Sequence, residues 1–276
     1  MTAISLSTIV HMQGDRIIVS KLLPLVLFGP YAFAYSAISK VTLLTSAVAQ
    51  AAFPSFSSLF RTEERGGLLL QYKKLHDLLC FGTVPLFAVI PFMALPVFGY
   101  VFTPPIASML LLPVSFLALG FYMNGTLNIP YVFLLAVGKP EISAKANILA
   151  LFIVLPVTVG LIYFFGLNGA GFSWVFYHLF AYSYAVPRTC TECLGISVRG
   201  WYFHILKIFI LASMTYGVAW LFVVFSGGYT LQTLALAYVV ASLIFMIIAY
   251  RMIDGGLRQT LLRFLLVLKI RRMEVL

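Results

Sequence analysis

The chain has 276 residues, of which 62% are hydrophobic and only 9% are Asp, Glu, Lys or Arg. A soluble domain devotes about a quarter of its residues to those four types, so a water-solvated globule is excluded, whereas helices in lipid need few charges. The formal charge of +10 comes without a basic, aromatic-interleaved surface segment and does not point to nucleic acid; in a membrane protein, surplus Lys and Arg mark cytoplasmic loops.

Apolar runs separated by charged or Gly/Pro-rich breaks predict an all-α fold, a polytopic transmembrane helical bundle of about eight spans. The helices fall at 2–20, 30–60, 78–102, 106–137, 142–165, 169–187, 202–225 and 230–250. Met1 runs straight into apolar sequence without a basic leader, and Asp15-Arg16 stands where a signal peptide would end. The first helix therefore reads as retained. At 100° per residue, Ser7, Thr8, His11 and Asp15 share one of its faces, with Arg16 at the border.

On the second helix, Ser36, Ser39, Lys40, Ala47, Gln50, Pro54, Ser57 and Ser58 fall within an arc of roughly 100°, with Leu43 the main apolar intruder. Two readings stand for this small-and-polar stripe: a helix lining water, or small residues permitting close packing. With Lys21 at the outer surface, Asp15 lies about 9 Å deep and Lys40 about 15 Å deep, by the helical rise. These two sit on adjacent antiparallel helices. Ionisable groups at such depth are costly and mark function by default. His11 reads equally as a proton relay through Asp15 or as a hydrogen-bonded structural residue.

Residues 62–74 read as a short surface helix before the third span. Pro85, Pro91 and Pro96 crowd that span, Pro113 and Pro130 interrupt the fourth, and Pro156 the fifth. Such breaks are tolerated where neighbouring helices or a wet cavity satisfy the freed carbonyls. Asn124 and Asn128 share a face of the fourth helix and suit either sugar hydroxyls or helix–helix hydrogen bonding. His76, His178 and His204 receive no role. Three cysteines make no disulfide framework, and Cys190-Thr-Glu-Cys193 has neither a second ligand pair at metal spacing nor a βαβ context. It reads as two incidental thiols at a helix end. The basic tail from Leu257 to Arg272 is amphipathic and suits the anionic inner leaflet or a partner.

Fifteen of the 18 basic residues occupy alternate gaps: Arg61, Arg65, Lys73 and Lys74; Lys139 and Lys145; Arg188, Arg199 and Lys207; and six beyond residue 250. The intervening loops, Thr103-Pro104-Pro105, Gly166-Leu-Asn-Gly-Ala-Gly171 and Ser226-Gly-Gly-Tyr229, hold none. This asymmetry predicts a multi-pass protein with both termini cytoplasmic. No Gly-rich phosphate loop, metal-ligand spacing or Ser/His/Asp pattern is present, the outer loops are too short for a catalytic platform, and no cofactor is implied. The reading is of a non-enzyme.

At Asp15-Arg-Ile-Ile-Val-Ser-Lys-Leu-Leu, Gly29-Pro-Tyr31-Ala-Phe-Ala-Tyr35 and Ala51-Ala-Phe-Pro54-Ser-Phe-Ser, the chain resembles polysaccharide flippases of the Wzx type, in the MATE-like exporter superfamily. Leu134-Leu-Ala-Val-Gly138-Lys-Pro140 and Gly166-Leu-Asn-Gly-Ala-Gly171 resemble that family's later loops. Leu25-Val-Leu-Phe28 departs from relatives that often carry an acidic residue there. The resemblance implies two six-helix lobes around a central cavity, often with a further helix pair, moving lipid-linked oligosaccharide repeat units across the bacterial inner membrane. This chain is similar to the second lobe (1–187) plus the pair (188–250) and the basic tail (251–276).

The resemblance further implies a polyprenyl-linked oligosaccharide substrate, with its anionic pyrophosphate met by Arg16 and Lys40 and its sugars by Ser36, Ser39 and Gln50. Asp15, with His11, would hold those cations or couple transport to an ion. Expected partners are membrane lipids, that substrate, and a first lobe or a second copy of the chain. A MATE-like cation-coupled drug exporter and a non-transporting membrane subunit or fragment are the alternatives.

Overall fold

The computed structural model describes residues 17–263, and among these there is no strand. The helices are α1 (17–22), α2 (Leu25–Ser39), α3 (Thr42–Arg61), α4 (Arg65–Gly82), α5 (Val84–Val101), α6 (Pro104–Ala136), α7 (Pro140–Arg188), α8 (Val198–Ala212), α9 (Val218–Ser226), α10 (Leu231–Met252) and α11 (255–263). Several join end to end, giving six continuous stretches long and apolar enough to cross a membrane: Leu25–Arg61, Arg65–Val101, Pro104–Ala136, Pro140–Leu194, Val198–Ser226 and Leu231–Met252. Gly166 divides the fourth of them. Its φ of 55° with ψ of −128° is open only to glycine, and helix continues on either side of it. The predicted first helix, 2–20, lies outside the described residues except for 17–20, which fall within α1.

Local chemistry sets the ends. Pro104 and Pro140 open α6 and α7, where a missing N–H costs nothing. Ser197 and Thr230 cap α8 and α10, accepting from Gly200 N and Thr233 N at 3.2 Å each. Gly138 and Gly227, both at positive φ, close α6 and α9. Around Lys40–Leu44 the backbone bonds run to the third residue back, Lys40 N to Ala37 O and Leu43 N to Lys40 O. The long second helix tightens there without breaking.

One boundary differs from expectation. Residues 62–74 are not a separate surface helix: α4 runs from Arg65 through Thr83, itself helical, into α5. Lys73, Lys74 and Asp77 read as a break because they are charged, but nothing there interrupts the hydrogen-bond ladder. Leu68 and Tyr72 already bury one face of this extension.

α6 is the central post, packed against α2, α3, α4, α5 and α7. Lipid is as apolar as a leucine side chain, so helices associate through close packing and hydrogen bonds rather than by leaving water. A Cβ on Gly120 would press on Trp174, one on Gly125 on Thr45, and one on Gly171 on the Pro113 backbone. Tyr31 Oη donates to Ala170 O (3.0 Å) and Tyr122 Oη to Cys80 O (2.9 Å), tying α2 to α7 and α6 to α4. The α8–α10 pair joins the same core, with Tyr238 Oη donating to Pro85 O (3.1 Å). Phe152, Phe222, Leu236, Leu243 and Ile247 point off the body, all more than half exposed, as a lipid-facing surface requires.

Arg61 and Arg65, Lys139, and residues 191–195 line one cavity, so three of the basic segments meet at one end of the bundle. The expected topology puts 61–77, 138–141, 188–201 and both termini in the cytoplasm, and 103–106, 166–169 and 226–229 outside. Fusions to a reporter active only beyond the cytoplasm should be silent at Lys74 and active at 226–229. Signal from Lys74 would overturn the assignment.

Candidate functional site

The stripe picked out by helical phase lies on the exterior of the bundle. Ser36, Lys40, Ala47, Gln50, Pro54 and Ser58 are exposed, while Ser39 and Ser57 are half-buried. Ser39 Oγ donates to Ser36 O at 2.9 Å, and Thr42 Oγ1 to Ser39 O at 2.6 Å, so these hydroxyls keep one bond within their helix. The opposite face of α2 and α3 buries Tyr31, Ala34, Tyr35, Ile38, Thr45, Ala49, Ala52 and Phe56 against the bundle. A single apolar, buried face on a helix pair whose other side carries Lys40 and Gln50 is the pattern of a bundle wall. His11, Asp15 and Arg16 lie outside the described residues.

Asn128 is a packing residue: Nδ2 donates to Thr45 Oγ1 at 2.8 Å, across the α3–α6 contact where Gly125 also meets Thr45. Asn124 lines a cavity of about 270 Å³ with Ser143, Asn147, Tyr177 and His178. His178 is fully buried, with Nδ1 2.7 Å from Trp174 O. Cys190 and Cys193 are free thiols on a π-helical turn, Thr189–Leu194. Cys193 faces a cavity of about 950 Å³ at the ends of α3, α4 and α6, with Arg61, Glu63, Arg65, Lys139 and Glu192 around it. Arg61, Arg65 and Lys139 share that mouth with Glu63 and Glu192, which gives it a mixed rather than a strongly anionic or cationic field.

A further cluster escaped sequence reasoning. Asp77 on α4 stands with Oδ1 3.0 Å from His204 Nε2 on α8, and Oδ2 accepts the backbone N–H of Asp254 at 2.7 Å. His76 stacks on Tyr72 (ring centroids 5.4 Å, 11°) and lies 5.9 Å from the His204 ring. Trp201 closes the group and donates from Nε1 to Tyr72 Oη at 3.2 Å. The two histidines belong to separate helices far apart in sequence, so no spacing motif announces them. The only sequence signal is a His-Asp pair at the mouth of a span.

Helices, topology and burial thus define a multi-pass, all-α membrane protein. Residues 1–109 match the model of a family described as polysaccharide biosynthesis protein, so this chain is similar to that family over the segment that includes α1 to α5 and the Lys40 stripe. No curated protein and no solved structure matches the chain.

Proposed function

We propose that this chain forms one helical wall of an exporter that carries lipid-linked oligosaccharide repeat units across the bacterial inner membrane for polysaccharide biosynthesis. The observation that carries the reading is the exposed polar stripe of α2 and α3, lying within the segment that matches a polysaccharide biosynthesis family. A charge facing hydrocarbon at a span's centre costs about 2.5–3.5 kcal/mol on insertion scales. Lys40 and Gln50 are therefore better accommodated by a water-filled cavity closed by a second bundle. In that cavity Lys40, with Arg16, compensates the pyrophosphate, while Ser36, Ser39 and Gln50 bond sugar hydroxyls; Asp15, with His11, holds the cations or couples transport to an ion. Alternating access works by two bundles rocking about a midplane site, and the second bundle is a partner lobe or another copy of this chain.

The test is complementation of a bacterial strain lacking its oligosaccharide flippase, scored by surface polysaccharide. Co-expression of the chain with a first lobe is expected to restore surface polymer, and the chain without one to restore little. If membrane-inserted chain restores no polymer with any partner lobe, and none alone, the transport reading falls. Full rescue by the chain alone would make the second bundle a homodimer partner.

A further inference from the structure

We propose that His76, Asp77 and His204 form a binding site for a divalent transition-metal ion of the zinc type, fastening the α8–α10 pair to the rest of the bundle. The potential ligand atoms of these three residues all lie within 4.8 Å of one another. Two imidazoles and one carboxylate are the donor set that zinc and its first-row neighbours take in preference to calcium or magnesium. In the bound site each donor would stand at the zinc–ligand distance of about 2.0–2.2 Å.

Three features favour an ion over a simple His–Asp pair. His204 Nε2 is buried and 3.0 Å from Asp77 Oδ1, yet the two do not make a well-formed hydrogen bond. His76, 3% exposed, adds a second imidazole beside the first, and the polar neighbour at its ring nitrogens is the weakly bonding Cys80 Sγ, 3.5 Å from Nε2. A lone His–Asp pair would have no use for that second ring. Third, the other carboxylate oxygen is held by the Asp254 N–H, the kind of outer-shell bond that orients a ligating carboxylate.

The access route is present as well. A cavity of about 380 Å³ reaches the cluster between Lys73, Ser197, Gly200 and Asp254. It lets an ion enter and leaves room for water as a fourth ligand, since the three protein donors alone leave a tetrahedral position open. The ligands come from α4 and α8, and the Asp254 link adds the α10–α11 turn. One ion would therefore add to the aromatic contacts and to the Trp201–Tyr72 and Asp254–Asp77 hydrogen bonds that already join these three segments.

The experiment uses the full chain, purified in detergent through a tag without histidine and stripped of metal with a chelator. Zinc is titrated by calorimetry, with magnesium and calcium as controls, and bound metal is counted by elemental analysis. The expected result is one zinc per chain, no magnesium or calcium uptake, and a higher thermal unfolding midpoint with zinc. His204→Ala, at the more exposed position, should lose more affinity than the ~10–100-fold typical of removing only an outer-shell partner, and His204→Cys should bind again. Absence of stoichiometric zinc in the wild-type chain overturns the proposal without reference to any variant. Equal zinc affinity in wild type and in His204→Ala that elutes like wild type overturns it too, because the ion would then lie elsewhere.

Discussion

Gly171→Val is expected to remove most of the folded, monodisperse protein recovered from membranes. Gly171 lies on α7 where it crosses α6, and a Cβ there would stand 2.7 Å from Pro113 Cα and 2.9 Å from Pro113 C. The obstacle is backbone on another helix, so no side-chain rotation relieves it. Overpacking a well-filled core costs typically about 1–3 kcal/mol, and a backbone collision sits at the upper end or beyond. Relief by moving α7 outward would break the Tyr31–Ala170 hydrogen bond one residue away and loosen Gly120 from Trp174 one turn further on. Gly160→Ala is the control: it lies in the segment of α7 before the Gly166 break, with nothing within 4 Å of its added Cβ. By helix propensity alone it should be neutral or stabilising by up to about 1 kcal/mol. Detergent-solubilised yield, elution profile and thermal midpoint compare the two, and indistinguishable behaviour would refute the account of α6–α7 packing.

The helices were legible because lipid imposes a simple code: long apolar runs, with Gly, Pro and charge between them. Gly166-Leu-Asn-Gly marked a turn even though the flanking helices follow each other with a single non-helical residue. The same code misleads at 62–74, where charge suggests a helix end although the backbone continues from Arg65 unbroken to Val101. Charge reports where a helix leaves hydrocarbon, and a helix can leave hydrocarbon without stopping.

Helical phase groups Ser36, Ser39, Lys40 and Gln50 within one arc, since phase depends only on the local ladder. Whether that side faces its own bundle or the outside depends on which face the neighbours bury, and that was settled by contacts such as Asn128 to Thr45. The His76–Asp77–His204 cluster was beyond local reading for the same reason. It exists only because α8 folds back beside α4, and neither segment carries a ligand spacing of its own.

Lys40→Glu is expected to lower export of lipid-linked oligosaccharide at least about tenfold, with Lys40→Arg retaining most of it. The side chain is exposed on the outer wall of the bundle, so the substitution leaves the buried core intact, and membrane levels should match wild type. A pyrophosphate passing within about 4 Å of a unit charge feels about 4 kcal/mol at an effective dielectric of 20. Reversing the charge turns that attraction into repulsion, and about 1.4 kcal/mol already accounts for a tenfold change in rate. If Lys40 instead serves to neutralise Asp15, either single apolar replacement would leave a lone charge, and replacing both would restore export. Surface polysaccharide in a flippase-deficient strain, with a first lobe supplied, reads all of these variants. Export by Lys40→Glu equal to wild type would remove Lys40 from the substrate path. Recovery in the Asp15→Leu, Lys40→Met double replacement would reassign both residues from binding the anion to holding two helices together.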